Sequence, residues 1–163
     1  SRIDGPWEVR FQPQRGAPAQ ITLPVLDDWS RHPDPGVRHF SGMATYLRTF
    51  QLPPAVLAGQ PRLYLDLGRV QVMARVKLNG RELGAVWTAP YRVDITSAAR
   101  PGENSLEIVV ANLWPNRLIG DKAVPAEQRI TWTTYNRYRK EDPVPASGLL
   151  GPVTLQRAGN TAQ

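Results

Sequence analysis

One stretch of the chain concentrates the side chains whose types suit a defined chemistry. Between positions 114 and 138, aromatic rings alternate with planar polar groups, and a further tryptophan follows a predicted hairpin at position 87. Aromatic faces stack on the apolar C–H face of a pyranose, and amide, carboxylate and guanidinium groups pair with its hydroxyls. These residues predict a carbohydrate site with seven candidate contacts: Trp87, Trp114, Asn116, Arg117, Asp121, Trp132 and Tyr135.

A structural interpretation of the same residues stays open. Arg117 and Asp121 are four positions apart, so they could pair and hold a long loop down without touching a sugar. Trp87 could wedge between two sheets. Trp132 and Tyr135 are better candidates for exposure, whereas Trp7 and Trp29, far from the aromatic stretch, are expected in the core.

The acidic and histidine residues do not predict a catalytic centre. Glycoside hydrolysis needs two carboxylates that face each other roughly 5 to 10 Å apart. The pairs Asp27-Asp28 and Glu141-Asp142 are only neighbours in sequence. His32 and His39 lie in one proline-rich stretch, outside a nucleophile-like context and without an evident third metal ligand. We therefore expect no catalytic residues and no cofactor.

Charge and composition exclude other classes of function. The net charge is +6, but the basic residues are spread along the chain, with one dense group at Arg137, Arg139 and Lys140. Because nucleic-acid binding usually needs a concentrated basic surface, we expect no nucleic-acid partner. No apolar run is long enough to cross a bilayer, so no membrane partner is expected. The absence of cysteine excludes disulfides.

The elements that would position the candidate residues are predicted to be short strands. Sixteen prolines and thirteen glycines punctuate the chain, and apolar residues alternate with polar ones in seven segments: 7–11, 44–52, 62–67, 70–78, 91–95, 106–110 and 153–155. This period is typical of half-buried antiparallel strands. Asn79-Gly80 predicts a tight primed turn. Residues 31–36 are expected to form only a loop, and residues 115–145 one long irregular loop.

The order of several motifs resembles the sugar-binding domain of family 2 glycoside hydrolases. The motifs are ATYLRTFQLP at 44–53, VKLNG at 76–80 with LG at 83–84, PYRVDIT at 90–96, PGENSL at 101–106 and SGLLGPV at 147–153. A narrower set resembles the C-terminal sandwich of glycoside hydrolase family 106, whose members are α-L-rhamnosidases: FSG at 40–42, LDLGRV at 65–70, NLWPNRLIGD at 112–121 and TWTTY at 131–135.

The resemblance implies an all-β fold, a mostly antiparallel galactose-binding-like jelly-roll β-sandwich over residues 1–157 with a frayed tail at 158–163. It implies a non-catalytic carbohydrate-binding accessory module of a bacterial α-L-rhamnosidase-like enzyme. The alternative is a purely structural domain that packs on the catalytic barrel and binds no sugar alone. The implied partners are rhamnose- or galactose-containing glycans and that barrel, which 163 residues cannot also contain. A periplasmic or secreted location and a structural calcium ion are further expectations.

Overall fold

A computed structural model of the chain describes residues 1–158, which form eleven strands and three short helices. The strands are β1 (Trp7–Phe11), β2 (Gln20–Leu23), β3 (Met43–Leu52), β4 (Leu63–Asp66), β5 (Arg69–Gln71), β6 (Met73–Leu78), β7 (Arg81–Val86), β8 (Arg92–Asp94), β9 (Gly102–Ala111), β10 (Gly148–Gly151) and β11 (Thr154–Arg157). The helices are α1 (Pro35–Arg38), α2 (Pro54–Leu57) and α3 (Pro115–Lys122). Single 3₁₀ turns lie at Trp29–Arg31 and Ala126–Gln128.

The strands form one large antiparallel sheet and two small ones. The large sheet has the order β2-β1-β3-β9-β6-β7, and the small sheets are β11-β4-β8 and β10-β5. Apolar side chains from the large sheet and the small sheets join in one buried cluster. The predicted all-β sandwich is therefore confirmed. None of the helices in residues 1–158 is long and apolar enough to cross a membrane.

The inner face of the large sheet shows why alternation predicted the fold. Tyr46 on β3 pairs with Ile108 on β9, which pairs with Val76 on β6. All three are fully buried, because side chains at matching register positions point to the same face of a sheet. Burial of such rows is the main favourable contribution to folding. Trp7 and Trp29 are also buried, as expected.

The predicted hairpin is present between β6 and β7. Asn79 and Gly80 have φ values of 51° and 80°, and Leu78 pairs with Arg81 across the turn. Positive φ at both central residues defines the primed turn that asparagine and glycine favour. The Asn79 side chain also donates to Asn104 Oδ1 at 2.8 Å and accepts from the Ser105 amide at 2.9 Å. The turn is thereby fastened to the start of β9.

Two segments predicted as irregular contain helices instead. Asp34, within the predicted 31–36 loop, accepts hydrogen bonds from the amides of Gly36 and Val37 and caps α1. The predicted 115–145 loop opens with α3, the longest helix in residues 1–158. Both helices carry proline in their first turn, where its missing amide hydrogen costs nothing. Residues 159–163 of the predicted tail lie outside the described residues. Ala158, the first residue of that tail, donates its amide hydrogen to Arg62 O.

Candidate functional site

Helix α3 is unusual because its buried face is largely polar. Asn116, Arg117 and Asp121 are buried together with Ile119 and Gly120. A side chain at position 120 would meet the Arg117 guanidinium at 2.6 Å and His39 Cβ at 2.7 Å, so glycine permits this close approach. The helix is thus placed for specific polar contacts as well as apolar packing.

The centre of this face is a buried ion pair. Arg117 Nε lies 3.0 Å from Asp121 Oδ1, and the two side chains are 9% and 3% exposed. Burial, together with the nearby Arg117 and Arg38 cations, lowers the pKa of His39 despite the opposing effects of Pro35 O and Asp121. A buried pair of this kind is sensitive to loss of either partner, because the remaining charge would be unpaired.

The same helix fixes the segment that follows it, residues 129–138, here named the 129–138 loop. Asp121 accepts hydrogen bonds from the Thr131 amide at 2.9 Å and from the Thr131 hydroxyl. Asn136 Nδ2 donates to Leu118 O at 3.0 Å, and Asn136 Oδ1 accepts from the Tyr138 amide. Residues 132–135 therefore arch between two points that are both attached to α3.

A cleft of about 460 Å³ lies between α3 and this loop, and we name it the α3 cleft. Trp132 is 81% exposed and lines it. The other lining residues supply hydroxyls, an amide, two cations and apolar contacts: Leu118, Asp121, Lys122, Ala126, Arg129, Ile130, Thr131, Thr133, Thr134 and Asn136. The cleft therefore combines an accessible aromatic face with hydrogen-bonding groups.

The structure divides the seven predicted site residues into three groups. Trp132 lines the α3 cleft, and Tyr135, 80% exposed, lies on the same loop but not in the lining. Asn116, Arg117 and Asp121 are buried; Asn116 Nδ2 donates to Pro145 O at 2.7 Å, which fastens the chain after the loop. The contacts of Asn116, Arg117 and Asp121 with other parts of the protein agree with the structural interpretation of these residues.

Trp87 and Trp114 form the third group, because both are exposed and neither lines the α3 cleft. Trp87 is 65% exposed, so the interpretation in which it wedges between two sheets is wrong. Met43 on β3 and Met73 on β6 both pair with Ala111 on β9, and Trp87 directly follows Val86, which pairs with Ala74 next to Met73. We name Met43, Ala111, Met73 and Trp87 the outer strip. Leu113 and Trp114, both 54% exposed, follow β9 directly.

Sequence reasoning missed several residues of the α3 cleft, notably Lys122, Arg129 and Thr133. Lys122 could have been found only after α3 had been predicted, since the helix places it beside the loop. The described residues contain no group of three or more histidine, aspartate or glutamate side chains that could hold a metal ion. The structural calcium ion stays a prediction from the resemblance.

A sandwich of antiparallel sheets with these motifs in this order is the architecture of a galactose-binding-like domain of glycoside hydrolases. Residues 37–143 match the family described as "Glycosyl hydrolase 2 galactose-binding domain-like", and the chain belongs to that family.

Three similar proteins place the chain in context. The solved structure of a rhamnosidase from Novosphingobium sp. PP1Y is 49% identical, with a TM-score of 0.87 over 95% of this chain and 14% of that one. A curated protein of Formosa agariphila, named "Putative beta-glucuronidase", is 37% identical over 94% of this chain and 15% of its own length. A Ruminococcus gnavus β-glucuronidase, 24% identical with a TM-score of 0.58, covers 69% of this chain and shares the fold.

The chain spans 14–15% of the length of the rhamnosidase and of the curated relative. The activities named for those proteins are therefore properties of much longer chains.

Proposed function

We propose that the chain is a non-catalytic carbohydrate-binding accessory module of an α-L-rhamnosidase-like glycoside hydrolase, with the α3 cleft as its sugar site. The observation that carries this proposal is Trp132. Its ring is 81% exposed on a loop whose two ends are fastened to α3. An aromatic ring held open to solvent in this way is ready to stack on a sugar without a large ordering cost.

The remainder of the cleft supports the same function. Thr133, Thr134 and Asn136 line it beside Trp132 and offer hydroxyl and amide groups to sugar hydroxyls. The cleft is open and shallow, so we expect weak binding of a monosaccharide, with a dissociation constant on the order of 1 mM. The 49% identity to a rhamnosidase favours rhamnose-containing glycans, with galactose-containing glycans next.

The arrangement of carboxylates supports a non-catalytic role. Asp121 is the acidic residue that lines the α3 cleft, and it is 2% exposed and committed to Arg117 and Thr131. A second carboxylate does not accompany it among the lining residues. The two facing carboxylates that glycoside hydrolysis usually requires are thus not supplied by this cleft.

The outer strip favours a second function, a structural domain that packs on the catalytic barrel of a longer chain. Met43 and Met73 flank Ala111 across three adjacent strands, and Met43, Met73 and Trp87 are 51%, 41% and 65% exposed. Contiguous exposed apolar side chains commonly mark an interaction surface. The much greater length of the relatives supports a barrel as the occupant. The two functions use different surfaces and are compatible. A periplasmic or secreted location stays part of the proposal.

An NMR titration with L-rhamnose and D-galactose tests the sugar site. We expect chemical-shift changes at Trp132 and the threonines beside it, and a loss of affinity of about tenfold for Trp132→Ala, which corresponds to a stacking contact worth ~1.4 kcal/mol. Trp87→Ala is the matched control, since it removes an exposed tryptophan outside the cleft. The absence of any shift at 50 mM sugar (~50 times the expected dissociation constant) would contradict the proposal, as would equal losses in the two variants.

A further inference from the structure

Two cations without an ion-pair partner among the described residues line the α3 cleft, and their charge affects which class of sugar the cleft can bind. Lys122 is half-buried at the end of α3, and Arg129 is exposed at the start of the 129–138 loop. None of the six ion pairs in residues 1–158 includes either of them. By contrast, Lys77 on the large sheet lies 3.4 Å from both Glu82 and Glu107.

The carboxylate of Asp121 does not offset these two cations. It is 2% exposed, its Oδ1 lies 3.0 Å from Arg117 Nε, and its Oδ2 accepts hydrogen bonds from the Thr131 amide and hydroxyl. Its charge is therefore balanced by Arg117 inside the protein. The accessible charges among the lining residues are therefore those of Lys122 and Arg129, both positive, whereas the exposed Glu127 does not line the cleft.

The two cations share a rigid frame with the aromatic ring. Lys122 is the neighbour of Asp121, and Arg129 is two residues before Thr131, the residue that Asp121 anchors. Trp132 follows directly after this anchor. A ligand that stacks on Trp132 therefore lies near two cationic side chains whose backbone attachment points are held by the same hydrogen bonds.

We propose that the α3 cleft binds an anionic glycan, with a sugar ring on Trp132 and a carboxylate or sulfate group facing Lys122 and Arg129. This inference rests on the proposed sugar site and names its ligand class. A neutral sugar uses only the ring and the hydroxyl groups of the cleft, whereas a uronic acid or a sulfated sugar also pairs with the two cations. Charge-assisted hydrogen bonds to such groups are stronger than neutral ones.

Calorimetric titration of the full chain with matched sugars tests this inference. Trigalacturonic acid is compared with its methyl ester, and a sulfated galactan oligosaccharide with its desulfated form. We expect at least one anionic form to bind about tenfold more tightly than its neutral counterpart at low salt. The difference should shrink about threefold or more in 0.2 M sodium chloride, because salt screens exposed charges. The form with the larger preference identifies the anionic group.

Variants separate the cleft from the general basic character of the chain. Lys122→Gln with Arg129→Gln should abolish the preference for the anionic form and keep binding of the neutral form. Arg139→Gln with Lys140→Gln removes the same charge outside the cleft and should leave the preference within about twofold. Circular dichroism verifies that both variants fold.

Three outcomes overturn the inference. Equal binding of the anionic and neutral forms in both sugar pairs would refute it and leave the proposed sugar site intact. Equal losses in the two double variants would assign the preference to overall charge and refute it as well. Binding of none of these sugars would refute this inference, and the proposed sugar site is refuted with it only when L-rhamnose and D-galactose also cause no chemical-shift change in the NMR titration.

Discussion

Asp121 is the residue on which the candidate site depends most. Its carboxylate contacts Arg117 within α3 and Thr131 on the 129–138 loop, so one buried side chain joins the helix to the loop. The cleft exists because this contact and that of Asn136 with Leu118 O hold the loop against the helix. A side chain that is almost fully buried thereby determines where the exposed ring of Trp132 lies.

We expect Asp121→Ala to lower the free energy of unfolding by about 3–5 kcal/mol, because it leaves the Arg117 charge buried without a partner. Urea denaturation measures the change. Glu141→Ala is the control: Glu141 lies 3.7 Å from Lys140 in an exposed pair, and its loss should cost less than about 1 kcal/mol. A cost for Asp121→Ala as small as that of the control would contradict the role assigned to this pair.

At this scale the sequence predicted more about packing than about ligand contacts. The sequence suggested a pair of Arg117 and Asp121 from their opposite charges and short spacing, although it placed both in a loop; in the structure α3 brings the two side chains onto one helix face. Lys122 and Arg129 are seven positions apart and share the cleft only because the chain turns back after α3. Such a juxtaposition depends on tertiary structure, which spacing alone does not give.

Among the elements, β10 begins at a glycine that fits tightly against two aromatic rings of the core. Gly148 has a φ of 90°, and a Cβ there would lie 2.7 Å from the Tyr46 hydroxyl and 2.8 Å from Trp29. These two rings stack with centroids 5.8 Å apart, and the Tyr46 hydroxyl accepts a hydrogen bond from the Leu149 amide. Burial raises the pKa of Tyr46, so it stays protonated at every ordinary pH.

Two glycine variants separate backbone strain from steric fit. Gly80→Ala should cost about 1 kcal/mol, because φ is positive but no atom lies within 4 Å of the added methyl. Gly148→Ala should cost about 1–3 kcal/mol more, because the methyl also displaces Tyr46 and Trp29. Thermal and urea denaturation give both values. Equal costs in the two variants would show that the close fit of Gly148 against Tyr46 and Trp29 contributes nothing to the free energy of unfolding.

The strands were easier to predict than the helices for a physical reason. Alternation over β3 and β9 reports directly which residues face the core, and the Asn79-Gly80 turn has a specific backbone requirement. Helices α1 and α3 begin at prolines, which the sequence analysis took as signs of irregular chain. Asp34 before Pro35 was an available signal, since a cap followed by proline begins many helices.

At the scale of the whole molecule, two surfaces stand out, and they differ in chemistry. The α3 cleft is polar and positively charged around one aromatic ring, whereas the outer strip is apolar and belongs to the large sheet. The net charge of +6 disfavours self-association, and the outer strip favours it. Salt screens the repulsion between the net charges but not the apolar attraction of the outer strip. The salt concentration therefore determines which of the two effects is larger in the isolated chain.

We therefore expect the isolated chain to self-associate weakly through the outer strip, and more so at high salt. In 0.5 M sodium chloride, the sedimentation coefficient measured by sedimentation velocity should increase with protein concentration from 5 to 200 µM (roughly the micromolar range where small apolar contacts associate). Met73→Gln with Trp87→Gln should suppress the increase and change stability by less than about 1 kcal/mol, since both side chains are largely exposed. Trp132→Ala removes an exposed ring outside the strip and should leave the association unchanged. A chain that stays monomeric under all these conditions would argue against the strip as a packing surface, because an exposed apolar face that is suited to packing on another domain should also be adhesive toward a second copy of the chain.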